Sequence, residues 1–319
     1  MRLQRSSLLL IGLLWLLSTQ LSAAAQSSQR AEAGLYIALG DSITAGIGSS
    51  LPRTRSYPAL VHAWLERLTG ARMTYANLGV PGETAGTFLE GQQWQVLESE
   101  VGLARTSNIP VVAVTVSLGG NELLSARTAG LADRQAELDA FEESFNAAIA
   151  AIREAVGNDV PLILTTYYDV TEGDADQPFT DAWWIRQFND VISETAERHG
   201  ATVADLEHAF AGHIEQFTRY PIDVHPTNQG FRAIAREVWR ALDFDQQAPN
   251  VEIASPSDAR RATQTFRVFV SDDVELERLT VHIGASKAQL IEVSPGEFVA
   301  LVQRLESSTP QRVVVLAVD

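Results

Sequence analysis

No cysteine occurs anywhere in the 319 residues. Disulfide bonds, thiolate metal sites and a lipid-modified cysteine are therefore excluded as ways to staple or anchor this chain. Basic residues are scarce: 24 Lys and Arg face 40 Asp and Glu, a formal net charge of −16. Such an acidic surface is repelled by phosphate backbones and anionic headgroups, so nucleic acid is not an expected partner. No glycine-rich phosphate loop is present, so a nucleotide is not expected either. The acidic groups Asp174 with Asp176, and Asp272 and Asp273 with Glu275, lack the ligand number and glycine placement of a calcium loop. Neither a metal nor another cofactor is called for. Internal repeats and low-complexity tracts are absent as well.

What the chain does have begins with a leader. Arg2 and Arg5 form a basic start, residues 8–17 an apolar core, and Ala23-Ala24-Ala25 a small-residue cleavage site. The apolar run falls short of the ~20 residues that span a bilayer, so residues 1–25 read as a signal peptide. The protein is expected to be secreted, extracellular or periplasmic. Losing the two leader arginines leaves 22 basic against 40 acidic residues, or −18.

Two regions of different pattern follow. From residue 35 to about 242, short apolar runs alternate with longer helical periodicities. Strands are predicted at 35–39, 73–78, 111–116, 162–167 and 202–206, and helices at 57–68, 84–98, 132–156 and 181–199. A last helix carries Phe231, Ile234, Val238 and Leu242 at helical spacing. This alternation predicts an α/β domain over 34–243, a three-layer, doubly wound parallel sheet. Residues 244–250 are polar and turn-rich, a linker. Residues 251–319 show short alternating runs at 251–253, 265–270, 279–283, 298–302 and 313–318, which predict a small all-β sandwich.

The chemistry-bearing residues sit at the ends of the predicted strands. Gly40-Asp41-Ser42 closes the first apolar run and delivers a hydroxyl to the carboxyl edge of the sheet, where open α/β folds bind ligands. Acyl transfer by serine needs a base to take its proton, a group to orient that base, and donors for the oxyanion. His225, just before Pro226 and the last helix, is the best base of six histidines. Asp223 lies two residues earlier, and side chains at i and i+2 of extended chain point the same way. Candidate donors are the Ser42 N–H, the Gly79 N–H in the loop after the second strand, and the Asn121 amide in the loop after the third. The other histidines, His62, His199, His208, His213 and His282, have no partner spacing. Trp183 and Trp184 read as anchors of their helix on the sheet rather than as lining of an acyl pocket.

In order along the chain, Gly40-Asp41-Ser42, Asn77-x-Gly79, Gly119-x-Asn121 and His225-Pro226 resemble the four blocks of the SGNH (GDSL-type) hydrolases, over about residues 34–242. The resemblance implies a flavodoxin-like sheet and esterase or lipase activity. It also implies Ser42 as nucleophile and oxyanion donor, Gly79 and Asn121 as further donors, and His225 as base. Three departures stand out. Ile43 follows the serine where the family name implies leucine, Glu122 replaces a frequent aspartate, and Ile222 occupies the position of the aspartate in Asp-x-x-His. Either Asp223 orients His225 along a different backbone path, or a main-chain carbonyl does and the pair is a dyad. The sandwich resembles bacterial immunoglobulin-like modules, which implies a spacer or a binding surface for a polysaccharide. The expected substrate is a carboxylic ester: a short acyl ester, a lipid or an O-acylated glycan. Residues 83–108 and 168–182 are expected to set its pocket. The competing reading is a non-catalytic binding protein whose sandwich recognises a polysaccharide or surface.

Overall fold

The computed structural model describes residues 34–127, 129–244, 250–254, 263–271, 278–283, 286–294, 297–303 and 313–318. The leader, most of the linker, and the turns at 255–258 and 272–273 lie outside the described residues. Among those described, no helix is long and apolar enough to cross a membrane.

Strands β1 (Leu35–Gly40), β2 (Thr74–Asn77), β3 (Val111–Ser117), β4 (Leu162–Thr165) and β5 (Thr202–Ala204) form one sheet in the order β2-β1-β3-β4-β5. Every pairing in it is parallel. The strand order reverses beside β1, and ligands bind at such a switch point. Register aligns Ala38 with Asn77 and Gly40 with Ser117, so the loops leaving β1, β2 and β3 emerge side by side. β1 is buried along its whole length, as expected of a central strand covered on both faces.

Short helices α1 (Ser42–Ala45) and α2 (Pro52–Arg55) precede α3 (Tyr57–Thr69). The predicted helix at 84–98 is two, α4 (Ala85–Phe88) and α5 (Gln92–Thr106), separated at Gly91. Then come α6 (Gly120–Arg127), α7 (Leu131–Val156), α8 (Asp181–Arg198), α9 (Leu206–Phe210) and α10 (Ile214–Phe217). A two-strand hairpin, β6 (Thr218–Arg219) and β7 (Asp223–Pro226), leads into α11 (Asn228–Leu242). Helices α3 and α11 cover one face of the sheet, where Trp64 meets Trp239 edge-on. Helices α7 and α8 pack together through the stacked rings of Phe141 and Phe188. Arg153 near the end of α7 is buried and donates to the carbonyls of Gly157, Val160, His199 and Gly200, tying the last turns of α7 and α8 together.

Helix α11 shows how directly the pattern dictates the element. The Thr227 side chain accepts the Gly230 N–H as an N-cap, and Phe231, Ile234, Ala235, Val238, Trp239 and Leu242 recur every three or four residues and are all buried.

The remaining strands are antiparallel. β8 (Asn250–Ala254), β9 (Thr263–Ser271), β13 (Glu297–Gln303) and β12 (Gln289–Ser294) form one sheet in the order β12-β13-β9-β8. β10 (Arg278–Ile283), β11 (Ser286–Lys287) and β14 (Val313–Val318) form another. Val268 and Ala300 from the first sheet and Val281 and Ile283 from the second share one buried cluster. Strand β12, absent from the sequence prediction, is an edge strand whose Ile291 and Val293 are exposed, so it lacks the one-sided alternation that marks a strand.

Truncating the fully buried Phe231 to alanine is expected to cost about 3–5 kcal/mol of stability. The measurement is urea unfolding followed by tryptophan fluorescence; an unchanged midpoint would show that α11 does not carry this packing.

Candidate active site

β1 ends at Gly40, where φ is +141° and a Cβ would lie 2.3 Å from the Ser117 carbonyl oxygen, so only glycine fits. Beyond it the chain is seized at several atoms. The Gly40 N–H donates to Gln93 Oε1 (2.7 Å), and the Gly40 carbonyl accepts from Gln93 Nε2 (2.9 Å) and from the Val80 N–H (2.9 Å). The Asp41 N–H donates to Ser117 O (3.1 Å). Asp41 then caps α1, its Oδ1 accepting the Ile43 N–H at 2.8 Å. Because Asp41 is the cap, Ser42 stands at the first helical position with its hydroxyl free for another partner.

That partner is His225, whose Nε2 lies 2.8 Å from Ser42 Oγ across 183 residues of sequence. On the other side of the ring, Nδ1 is 2.5 Å from Asp223 Oδ1, which also accepts the His225 N–H at 3.2 Å. Burial acts to raise the Asp223 pKa, but the hydrogen bonds from the His225 side chain and backbone, with its charge, outweigh it and hold the carboxyl below its ordinary value. An ionised carboxylate only accepts, so Nδ1 is the donor to Asp223, and in that tautomer Nε2 accepts from the serine hydroxyl. Ile222 is 94 % exposed and turned to solvent. The hairpin brings Asp223 to the ring in its place. Tyr168 Oη donates to the Val224 carbonyl (2.8 Å) and fixes the segment between acid and base.

The donors are arranged differently from the sequence expectation at one position. Asn121 borders the cleft beside Ser42, with one amide hydrogen donated to the Glu83 carbonyl (2.7 Å) and the second uncommitted. The Ser42 N–H has no partner among the described hydrogen bonds. Gly79, however, donates its N–H to Asn77 Oδ1 (3.1 Å), while Asn77 Nδ2 donates to Thr44 O (2.8 Å). A Cβ at Gly79 would lie 2.5 Å from Ala45 N. Glycine is needed there because the loop passes hard against α1. In the same loop Gly82 turns the chain at φ +86°, under the Glu83 N–H to Val80 O bond, and its own N–H has no partner among the described bonds.

Two buried carboxyls stand behind these groups. Burial pushes Asp41 up to about 6, against lowering by the Ile43 N–H, by Tyr167 Oη (3.1 Å from Oδ2) and by His225. Burial likewise pushes Glu122 up to about 7, although Oε1 accepts the Ala85 N–H at 2.6 Å. Gln93, Tyr167 and Tyr168 escaped the sequence reading. Gln93 is one of several polar residues in α5, and Tyr167 and Tyr168 follow β4 beside Thr166 and Asp169; nothing in their spacing separates them from ordinary surface or core residues.

A cleft of about 100 Å³ opens at Ser42, His225 and Asn121. The segment 168–182 contributes to it as expected, through Tyr168, Val170, Thr171 and Asp181, but no residue of 83–108 does. Its other walls come from α6 and α8, including Trp184, which is buried and lines the cleft while anchoring its helix.

Residues 38–233 match the GDSL-like Lipase/Acylhydrolase family. The chain belongs to this family. It is 28 % identical over 228 residues to a lipase of Streptomyces rimosus, across 60 % of this chain and 77 % of that protein. In fold it is similar to an acetylxylan esterase from Geobacillus stearothermophilus, with a TM-score of 0.51, 20 % identity, and coverage of 68 % of this chain and 97 % of the other. It is also similar to an α/β hydrolase from the metagenome of Lake Arreo, Spain, with a TM-score of 0.50, 23 % identity, and coverage of 66 % and 96 %. This GDSL hydrolase is therefore a carboxylic ester hydrolase.

The raised pKa of Asp41 is a statement about stability. Its folded value of about 6 lies above the ordinary ~3.9, so the folded state favours the protonated carboxyl. The cost of ionisation begins as pH rises past the unfolded value and is fully present above the folded one. Asp41→Asn, which keeps an acceptor for Ile43 and a partner for Tyr167, is expected to stabilise the hydrolase by about 2–3 kcal/mol at pH 8 and by almost nothing near pH 4. Melting curves of both proteins at the two pH values test this; equal shifts at both would remove the burial penalty as the cause.

Proposed function

We propose that the protein is a secreted serine esterase in which Ser42 is the nucleophile, His225 the general base and Asp223 the group that orients the imidazole. The observation that carries this reading is the continuous chain from Ser42 Oγ through His225 to Asp223, with contacts of 2.8 and 2.5 Å. As Ser42 attacks the ester carbonyl, its proton passes to Nε2, and the imidazolium forms beside an anion that favours it. His225 then returns the proton to the leaving alcohol, and an acyl-enzyme remains. Water activated by the same nitrogen releases the acid.

The tetrahedral oxyanion is held by the Ser42 N–H and the second hydrogen of the Asn121 amide. The third donor of this reading is the Gly79 N–H, in the loop that packs against α1; in this structure it donates to Asn77 Oδ1 at 3.1 Å. A non-catalytic binding protein has no need for a serine, a histidine and an acid held at these distances. Secretion rests on the basic start, apolar core and small-residue site of residues 1–25. The two antiparallel sheets at the C-terminal end, which share one apolar cluster, support an immunoglobulin-like module with a binding role toward a polysaccharide or surface.

Ser42→Ala is expected to lower hydrolysis of p-nitrophenyl esters at least about 10³-fold, and Asn121→Ala about 10²–10³-fold in kcat. Asp223→Asn replaces the carboxylate by a neutral amide whose NH₂ can donate to Nδ1 and turn the imidazole into the wrong tautomer, and is expected to cost about 10²-fold or more, whereas Ile222→Asn leaves the rate within about twofold. Steady-state rates of the purified proteins decide; a Ser42→Ala protein with wild-type turnover would end the assignment.

A further inference from the structure

The cleft beside Ser42 is longer than an acetyl group needs. At its near end stand Ser42, His225 and Asn121. Its walls are Leu123, Leu124 and Ala126 of α6, Trp184 and Ile185 of α8, and Val170 between them. At its far end Asp181 receives two arginines: Arg127 Nε on Oδ2 at 2.8 Å and Arg134 Nη1 on Oδ1 at 3.0 Å. Polar chemistry thus occupies both ends and hydrocarbon the middle.

Helix α6 gives this passage a length. Asn121 at its start borders the reacting hydroxyl and Arg127 at its end belongs to the ion cluster, and Leu123 and Leu124 lie between on the cleft side. Six or seven residues at 1.5 Å each make about 10 Å. An extended hydrocarbon built from 1.5 Å bonds advances about 1.3 Å per carbon, so this distance holds about eight carbons. Beyond it, a longer tail meets a charged, partly solvated cluster, where further methylenes gain no burial from water.

We propose that the acyl-binding site of this enzyme is this passage and that it selects saturated acyl chains of medium length, near eight carbons, over acetyl esters. The wall of α6 measures the chain and the Arg127–Asp181–Arg134 cluster ends it. This assignment rests on the serine esterase reading above and names its substrate class. Each methylene moved from water into the passage is worth up to about fourfold in kcat/KM.

The test is kcat/KM of the full chain for p-nitrophenyl acetate, butyrate, octanoate, laurate and palmitate. Octanoate is expected to exceed acetate at least tenfold, with a decline at laurate and palmitate. Leu124→Trp places an indole in the passage from a position that is 45 % exposed and tolerant of size. It is expected to lower the octanoate-to-acetate ratio at least tenfold, with melting temperature recorded to show that the fold is intact. Arg127→Leu removes a charge from the far end and is expected to move the optimum toward laurate. An octanoate-to-acetate ratio of one or less in the wild-type protein, or a ratio unmoved by Leu124→Trp, would overturn the acyl-length assignment while leaving the serine mechanism standing. Absence of Ser42-dependent turnover for every ester would overturn the mechanism itself and the assignment with it.

Discussion

The last peptide of β1 is gripped on all sides, and the position of every reacting group follows from that grip. Gln93 takes both the N–H and the carbonyl of Gly40, the loop after β2 adds the Val80 N–H, and β3 supplies the Ser117 carbonyl to Asp41. Each bond is worth only about 1 kcal/mol net, but a buried peptide group left without a partner costs about 1–3 kcal/mol. The chain therefore has one way to leave the sheet, upward into α1 with Asp41 as cap and Ser42 exposed. A serine that capped its own helix would spend its oxygen on the backbone; here the neighbouring aspartate does so and the hydroxyl is left to face His225.

Three carboxyls around this point live in three environments. Asp223 is held as an anion by the hydrogen bonds of His225, while Asp41 and Glu122 are pushed upward by burial. Negative charge is thereby firmest beside the His225 ring and weakest behind Ser42. Separation of pKa values by environment is a recurrent way of giving chemically identical groups different tasks. In a chain with 40 acidic residues, it matters less how many carboxylates there are than which ones keep their charge.

Much of this was legible in the residues, and the failures have identifiable causes. The parallel sheet could be read because its strands are short apolar runs and its helices, α11 above all, are strongly periodic. The break between α4 and α5 falls at Glu90-Gly91-Gln92-Gln93, where the apolar spacing lapses between Leu89 and Trp94 and a single glycine was not enough to divide the predicted helix. The pairing of Asp223 with His225 was open in sequence, since the spacing departs from the family pattern; it depends on the β6–β7 hairpin, whose short strands carry no hydrophobic signature. The packing of Gly79 against α1 was not legible, because a glycine needed for close backbone approach and one needed for a donor N–H are indistinguishable as letters. The cleft was sought in loops, yet one wall is helix α6, a short element after Gly119 that was not among the predicted helices.

The stitching between the two ends of the site carries a consequence for how the protein is made. Arg219 Nη2 donates to the Gly48 carbonyl (2.7 Å), Asn228 Oδ1 accepts the Ser50 N–H (3.0 Å), and any side chain at Gly48 would strike Pro226. The segment just after the serine is thus laced to residues synthesised some 170 positions later. A growing chain that has already formed its sheet holds a serine with no histidine beside it. The Ser42–His225 pair therefore forms only in a chain that includes the final hairpin and helix.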